Sequence, residues 1–486
     1  MEKLKINKKV VEQTKTIHVT NDIIVPDIKP DIISIVTTNG VPYIYKQENE
    51  KNRVKVDGNI DSYIVYLSVD GDTRSIQTTL NFNDILENND IKENSYVRYK
   101  IELETLNARV LNERKITLSA TISINYTISE IQEIEIKDDF LRDIPELQKQ
   151  EESLKIKSLV GINTAKASIK EDINIDNLDE IAEILKVDVE ITKSEEKISY
   201  NKVLAKVEFN IDIVYMTEDS RIGNVKNMFP IMSFVDIENI KEEDITVFEY
   251  NIKNMLIKLN NKDNHSITIQ IDFEIYCEVY EEKEMVILKD AYSLIKDLDI
   301  LYKALDVEEN KAEEDYIEIV DSVKIEDIKR IVSVEKRKIS ILKKDRFNIE
   351  GEVNLVLYYE TTDRLGLSCK EIKLPFVTKS KIQENCIFEL NNIEMNLNNE
   401  NVNFSIKILI RSNFNTNNSI NVIDDIKVKN DIACDDYGVV VYVVKKNDTI
   451  WKIGKTFKVT VDSLKKVNDI EDVQKINPGD KLYILK

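Results

Sequence analysis

Nucleophilic catalysis by a Ser–His or Cys–His pair needs an imidazole beside the nucleophile, and only His18 and His265 are available. His18 lies in the alternating segment KTIHVTN, where a half-exposed strand position is expected. His265, in NNKDNHSITI, reads as a turn residue between two strands. Neither stands in an HExxH-like spacing, so nothing favours a metal site built on them. The ten glycines are scattered, no two within three positions of each other. That excludes GxGxxG and Walker A cradles, in which clustered glycines let the backbone approach phosphates. The 89 acidic residues supply many carboxylate pairs of the kind that hydrolyse glycosides, and for that reason single out none. Cys277, Cys369, Cys386 and Cys434 lie far apart without a CxxC pair and read as buried free thiols. No catalytic residue, metal ligand or cofactor is assigned, and the chain is expected not to be an enzyme.

What remains are binding surfaces, and the elements that would carry them. The chain has 486 residues, long enough for several cores, and 42% hydrophobic residues to fill them. Its net charge of −21 makes nucleic acid and anionic membrane poor partners. The N-terminal MEKLKINKKVVEQTK has no apolar stretch behind its charges, and no run reaches the length of a transmembrane span. A cytoplasmic protein without a signal peptide or transmembrane segment is expected.

Three segments share one template: VDGNIDSYIVYLSVDGDTRSIQTTLNF, AKVEFNIDIVYMTEDSRIGNVKNMFPI and IEGEVNLVLYYETTDRLGLSCKEIKLPF. In each, a strand ends on Tyr66, Tyr215 or Tyr359, eight residues after Gly58, Val207 or Gly351. A polar turn follows (Asp70 to Asp72, Glu218 to Ser220, Thr362 to Arg364), then a second strand ending on paired apolar residues. This is a hairpin signature. Two further alternating strands follow each hairpin, and an apolar segment with helix-like or irregular spacing precedes it: VPDIKPDIISIV, NIDNLDEIAEIL and VKIEDIKRIVSV. A repeat of roughly 145 residues means tandem domains rather than a solenoid. The expected boundaries are 1–136, 150–284 and 315–430, with a charged helical linker over 285–314 and a separate module over 440–486. Charged, helix-compatible connectors (DDFLRDIPELQKQEESLK and KDAYSLIKDLDILYKALDVEENKAEED) join the copies.

The C-terminal module breaks the pattern. From Tyr442 onward ten lysines face six acids, so the module is basic while the rest of the chain is acidic. The strand YVV leads into a turn at Asn447, a residue tolerant of positive φ. Asp448 or Thr449 is placed to cap a first helix whose inner face is Ile450, Ile453 and Phe457. Thr460 can cap a second helix, with Leu464 and Val467 inward, and INPGDKLYIL supplies a Pro-Gly turn and a closing strand. Trp451, the single tryptophan, is either a partly buried side chain of the first helix or an exposed anchor in an interface. The lysines form a solvated face, a surface for an acidic partner, or an intramolecular contact with the acidic copies.

This strand–helix–helix–strand module resembles the LysM family, through Tyr442, Val444, Asp448, Thr449, Ile450, Ile453, Val459, Leu464, Asn468, Ile476, Pro478, Gly479, Leu482 and Ile484. Asn447 stands where the family has glycine, and Gly454 where it has alanine; a glycine there costs about 1 kcal/mol of helix propensity or makes room for a close contact. The three copies, with IKEDINI at 169–175, are similar to the SPOCS domain of spore envelope proteins. The expected fold is therefore mainly β: three tandem SPOCS-like domains and a small C-terminal βααβ LysM domain. The arrangement resembles the SipL-like spore morphogenesis proteins. That resemblance implies a non-enzymatic coat-assembly scaffold in the mother cell, at the forespore and spore coat surface. It implies a spore coat morphogenetic ATPase (SpoIVA-like) as partner of the LysM domain, and other coat proteins as partners of the β-domains. Binding of peptidoglycan or N-acetylglucosamine is the alternative. The partner- or glycan-binding residues implied are Asn447, Asp448, Thr449, Ile450, Trp451, Lys452, Asn477 and Pro478.

Overall fold

The computed structural model describes residues 2–136, 144–175, 180–260, 265–345, 348–362, 366–379, 386–431, 438–472 and 476–485. Each copy is a six-strand unit of two three-stranded antiparallel sheets. Copy 1 comprises β1 (Glu2–Ile24), β2 (Ile32–Glu50), β3 (Arg53–Ser68), β4 (Thr73–Glu87), β5 (Tyr96–Asn112) and β6 (Lys115–Ile136). Copy 2 comprises β7 (Leu147–Asn174), β8 (Ile181–Ser199), β9 (Lys202–Thr217), β10 (Ile222–Asp236), β11 (Ile245–Leu259) and β12 (Ser266–Ser293). Copy 3 comprises β13 (Lys296–Lys324), β14 (Ile328–Lys344), β15 (Ile349–Thr361), β16 (Ser368–Thr378), β17 (Cys386–Asn398) and β18 (Asn401–Asp431). The middle three strands of each copy form a meander, β2-β3-β4, β8-β9-β10 or β14-β15-β16. The outer three close a second sheet in which the last strand lies between the first and the fifth, as in β1-β6-β5. Alternating apolar faces of the two sheets enclose the core, as with Ile60, Leu80, Phe82, Ile122 and Ile124 in copy 1.

Among the described residues, which exclude 176–179, the segments before the hairpins hold no helix. Residues 25–31 and 325–327 are turns, and from Ile32, Ile181 and Ile328 onward the segments are strand. Their spacing misleads because each carries bulges. The register skips Val36 between Ile35 and Thr37, Leu185 between Ile184 and Lys186, and Val332 between Ile331 and Ser333. An extra residue shifts the two-residue period and turns a side chain that alternation would point elsewhere. The bulge residues do the same thing in all three copies. They meet Val65, Val214, Val356, Tyr358, Ile222 and Leu367 in one apolar cluster shared by the copies. Around it the meanders pack in a cycle, β4 against β8, β10 against β14 and β16 against β2. Polar contacts mark each seam: Ser75 Oγ donates to the Ile184 carbonyl (2.6 Å), Arg330 donates to the Ile222 carbonyl, and Leu367 N–H donates to Thr73 Oγ1 (3.1 Å).

The helical linker expected over 285–314 is likewise strand. β12 continues to Ser293, two residues turn, and β13 begins at Lys296 and pairs with β18 along its whole length. Register shifts between Lys296 and Leu298, and between Leu301 and Tyr302, again blur the alternation. The side chains of 305–313, which include most of VEENKAEED, lie outside the described residues, as do 138–143 of the other connector. The turn expected at Thr362 to Arg364 also falls largely outside them. The outer strands extend past the meanders as ribbons. The ribbons of copies 1 and 2 join β18 of copy 3 around Leu4, Ile134, Ile156, Met285, Ile287 and Val422.

Candidate functional site

The C-terminal module comprises β19 (Val439–Val443), α1 (Ile450–Phe457), α2 (Val461–Val467) and β20 (Lys481–Leu485). β19 and β20 pair antiparallel, Tyr442 opposite Leu482. Val444, Ile450, Ile453, Val459, Leu464, Leu482 and Ile484 fill a core between the hairpin and the two helices. So short a unit relies on hydrogen-bonded turns as well as on burial.

Asn447 adopts φ 68°, the left-handed region that asparagine tolerates and that the family fills with glycine. Thr449, rather than Asp448, caps α1: its oxygen accepts from Lys452 N–H at 3.1 Å. Asp448 supports the turn instead, accepting from Tyr442 OH (2.7 Å) and Lys445 N–H (2.8 Å). Those bonds, the backbone one foremost, hold its carboxyl below the ordinary range. Thr460 caps α2 through Ser463 N–H at 3.0 Å. The second turn adjoins the first, since Val444 N–H donates to the Asp480 carbonyl (2.9 Å) and Gly479 N–H to the Val444 carbonyl (2.8 Å).

Asn468 ties α2 to β20. Its amide donates to the carbonyls of Leu464 and Tyr483, both at 2.8 Å, and its oxygen accepts from Tyr483 N–H at 2.6 Å. Three bonds at roughly 1 kcal/mol net each predict that Asn468→Ala destabilises the module by about 2–3 kcal/mol. Amide exchange in β20 at least tenfold faster than in the parent would show it, and unchanged exchange would refute it.

The module does not stand apart from the copies. Trp451 Nε1 donates to Asp290 Oδ2 at 2.8 Å, and Lys455 Nζ to Asp290 Oδ1 at 2.6 Å. Tyr302 OH donates to the same Oδ1 at 3.0 Å. The Tyr292 ring meets the Trp451 ring edge to face, centroids 4.9 Å apart, and Tyr292 OH donates to the Val459 carbonyl at 2.7 Å. Lys458 Nζ lies 3.6 Å from an Asp297 carboxylate oxygen. Burial pushes the Asp290 carboxyl up, but the bonds from Lys455 and Trp451 outweigh it and hold the group below the ordinary range. The departure at Gly454 has its cause here. A Cβ on that residue would stand 2.7 Å from Tyr292 Oη and 3.0 Å from the Val459 carbonyl.

With this geometry in view, comparison with known families is decisive for the domains. The LysM domain family matches residues 442–485, and the family described as SipL, SPOCS domain matches residues 180–260, within copy 2. Copy 2 is thus similar to the SipL SPOCS domain and the C-terminal module to LysM, the combination found in a SipL-like protein. No curated protein and no solved structure matches it. Both matched domains are of the binding type, and the pairing supports a sporulation-related protein that carries LysM. No helix among the described residues is long and apolar enough to cross a membrane.

The residues expected to bind fall into three places. Asn447, Thr449, Asn477 and Pro478 are exposed on the two adjoining turns, and Lys452 is exposed beside them, its Nζ donating to the Asn447 carbonyl at 3.0 Å. Ile450 is buried in the LysM core and presents nothing to a ligand. Trp451 points away from the turns, onto β12. Asp290 and Tyr292 escape sequence reasoning because the charged segment around them reads as linker; Gly454 inside a helix is the one trace they leave. His18 is exposed on β1, its Nδ1 3.0 Å from Thr121 Oγ1, and His265 is in a turn. Cys277 and Cys369 are free thiols; Cys434 and the Cys386 side chain lie outside the described residues. Among the described residues no cluster of His, Cys, Asp and Glu could hold a metal ion.

Proposed function

We propose that this chain is a non-enzymatic scaffold of the spore envelope, linking coat layers to the forespore surface. In this reading its LysM domain binds a SpoIVA-like coat morphogenetic ATPase. The observation that carries it is the α1 contact. The LysM surface that holds Trp451 and Lys455 already engages a protein strand, through a carboxylate and an aromatic ring rather than a sugar. The opposite charge of module and body supports an acidic protein partner. Deleting Tyr442 to Lys486 is expected to abolish capture of the coat ATPase from a sporulating lysate; undiminished capture would sink the proposal. A fluorescent fusion is expected to form a ring around the forespore in the mother cell.

A second reading, binding of peptidoglycan or N-acetylglucosamine, is favoured by the exposed pair of turns bearing Asn447, Thr449, Asn477 and Pro478. Retention on purified peptidoglycan separates the two. Thr449→Ser keeps the cap oxygen, whereas Thr449→Ala removes it and costs about 1 kcal/mol of helix stability. The serine variant is therefore the control for recognition.

A further inference from the structure

We infer that the α1 face of the LysM domain is a reader of extended acidic-aromatic strands, and that Asp290-Ala291-Tyr292 occupies it in cis. Three features of the contact argue for recognition rather than incidental packing. First, Asp290 and Tyr292 are two residues apart on β12, so one strand face presents a carboxylate and a ring together. Second, Trp451 and Lys455 are four apart on α1, so one helix face presents an indole N–H and an ammonium to that carboxylate. Both carboxylate oxygens are engaged, one by each donor, in charge-assisted or aromatic N–H bonds.

Third, Gly454 removes the Cβ that would keep Tyr292 away, and the phenol then reaches a backbone carbonyl just past the end of α1. A glycine that weakens a helix of eight residues is explained by the close approach it permits. The face is thus shaped for a carboxylate, a spacer and a tyrosine in extended conformation. A partner that takes this face must present the same chemistry and displace β12. The inference deepens the scaffold reading, since it names what the protein partner of the LysM domain offers: an exposed strand with an acidic residue two positions from an aromatic one.

Trp451 is the only tryptophan in the chain, so its fluorescence reports this contact alone. In the full-length protein, Asp290→Ala is expected to red-shift the emission and to raise acrylamide quenching roughly twofold as the docked population falls. Tyr292→Phe, which keeps the ring and loses only the hydroxyl, should give a smaller change in the same direction. Unaltered quenching in both variants, each shown to be folded by circular dichroism, would overturn the contact. A peptide with the sequence of residues 286–296 is then added to the Asp290→Ala chain. Renewed shielding of Trp451 supports the reader, provided the same peptide with asparagine for its aspartate does not restore it. Failure of the parent peptide at millimolar concentration, or equal effect of the two peptides, overturns it. Neither measurement involves the coat ATPase. If capture of that ATPase fails while the peptide titrates, the partner assignment falls and the reader stands.

Discussion

Gly58→Val is expected to destabilise copy 1 by at least about 3 kcal/mol, beyond the usual range for overpacking, because backbone as well as side chain is struck. A Cβ on Gly58 would stand 2.1 Å from Phe82 Cζ and 2.6 Å from the Tyr43 carbonyl. Gly58 is paired with Phe82 across the meander, and Gly351 with Phe376 in copy 3, where the same clash recurs with the Ser340 carbonyl at 2.8 Å. In both copies the ring lies over the bare glycine. Copy 2 solves the position the other way, with Val207 opposite Ile231. The double variant Gly58→Val/Phe82→Ile installs that pair and should recover part of the loss, a positive coupling of about 1–2 kcal/mol in a double-mutant cycle.

Full recovery is not expected, and the reason lies in the neighbouring strand. In copies 1 and 3 the register skips Tyr45 just after Ile44, and Leu342 just after Ile341, the residues opposite the two glycines. In copy 2 the skip falls at Thr192, two residues before Ser194, which is opposite Val207. The bulge that brings a carbonyl onto the glycine has moved where valine stands. Urea denaturation monitored by circular dichroism measures both variants. Complete rescue would mean that Phe82 alone sets the constraint.

The glycine, valine and tyrosine positions show how much of this fold the sequence discloses. The hairpins are legible because their pairing runs without a bulge from Gly58 to Tyr66 and in the two counterparts, so that an apolar strand ends on a tyrosine and a polar turn follows. The LysM domain is legible because its turns and caps use residues whose backbone preferences are local: Asn447, Thr449, Thr460 and the Pro478-Gly479 turn. The strands β2, β8 and β14 are obscured by bulges at Val36, Leu185 and Val332, whose purpose emerges only when three copies meet around them. β13 is obscured by the register shifts near its start and by a second cause: its partner, β18, is about a hundred residues away in sequence and overrides the local helical tendency. Of the candidate site, the exposed turns are visible in advance. The docking of Trp451 is not, because Asp290 and Tyr292 look ordinary until the ribbon places them under α1.

Lys186 gives the second large effect. It is fully buried where the three copies meet, and its Nζ lies 3.0 Å from Ser333 Oγ, 3.9 Å from Asp212 Oδ2 and 5.1 Å from the centre of the Tyr358 ring, with Asp188 as its closest partner. Asn39 of copy 1 donates to Asp188 at 3.0 Å, and Ser333 of copy 3 to Asp212 at 2.8 Å, so one charge holds groups from all three copies. Burial alone would strip the lysine of its proton; Asp188, then Asp212 and Glu335, more than offset it and the ammonium is retained. Lys186→Met leaves the part-buried Asp188 without its counter-charge, while Asp212 keeps Lys226 at 3.3 Å and Glu335 keeps Arg337 at 3.0 Å. A loss at the lower end of the range for a broken buried pair, about 3 kcal/mol, is therefore expected. The loss should also depend on pH, in a direction that Glu335 sets. Burial first, and Asp188 next, raise its carboxyl above the ordinary 4.5, while Arg337 and Lys186 oppose the rise. The folded chain therefore keeps a proton there that the unfolded chain releases above about pH 4.5, so stability tied to Glu335 falls as pH increases from that point. Removing Lys186 removes part of the opposition and steepens the fall. Denaturation at pH 5 and pH 8 should thus show the variant closer to the parent at pH 5. An equal deficit at both values would mean that the lysine acts through its volume and not its charge.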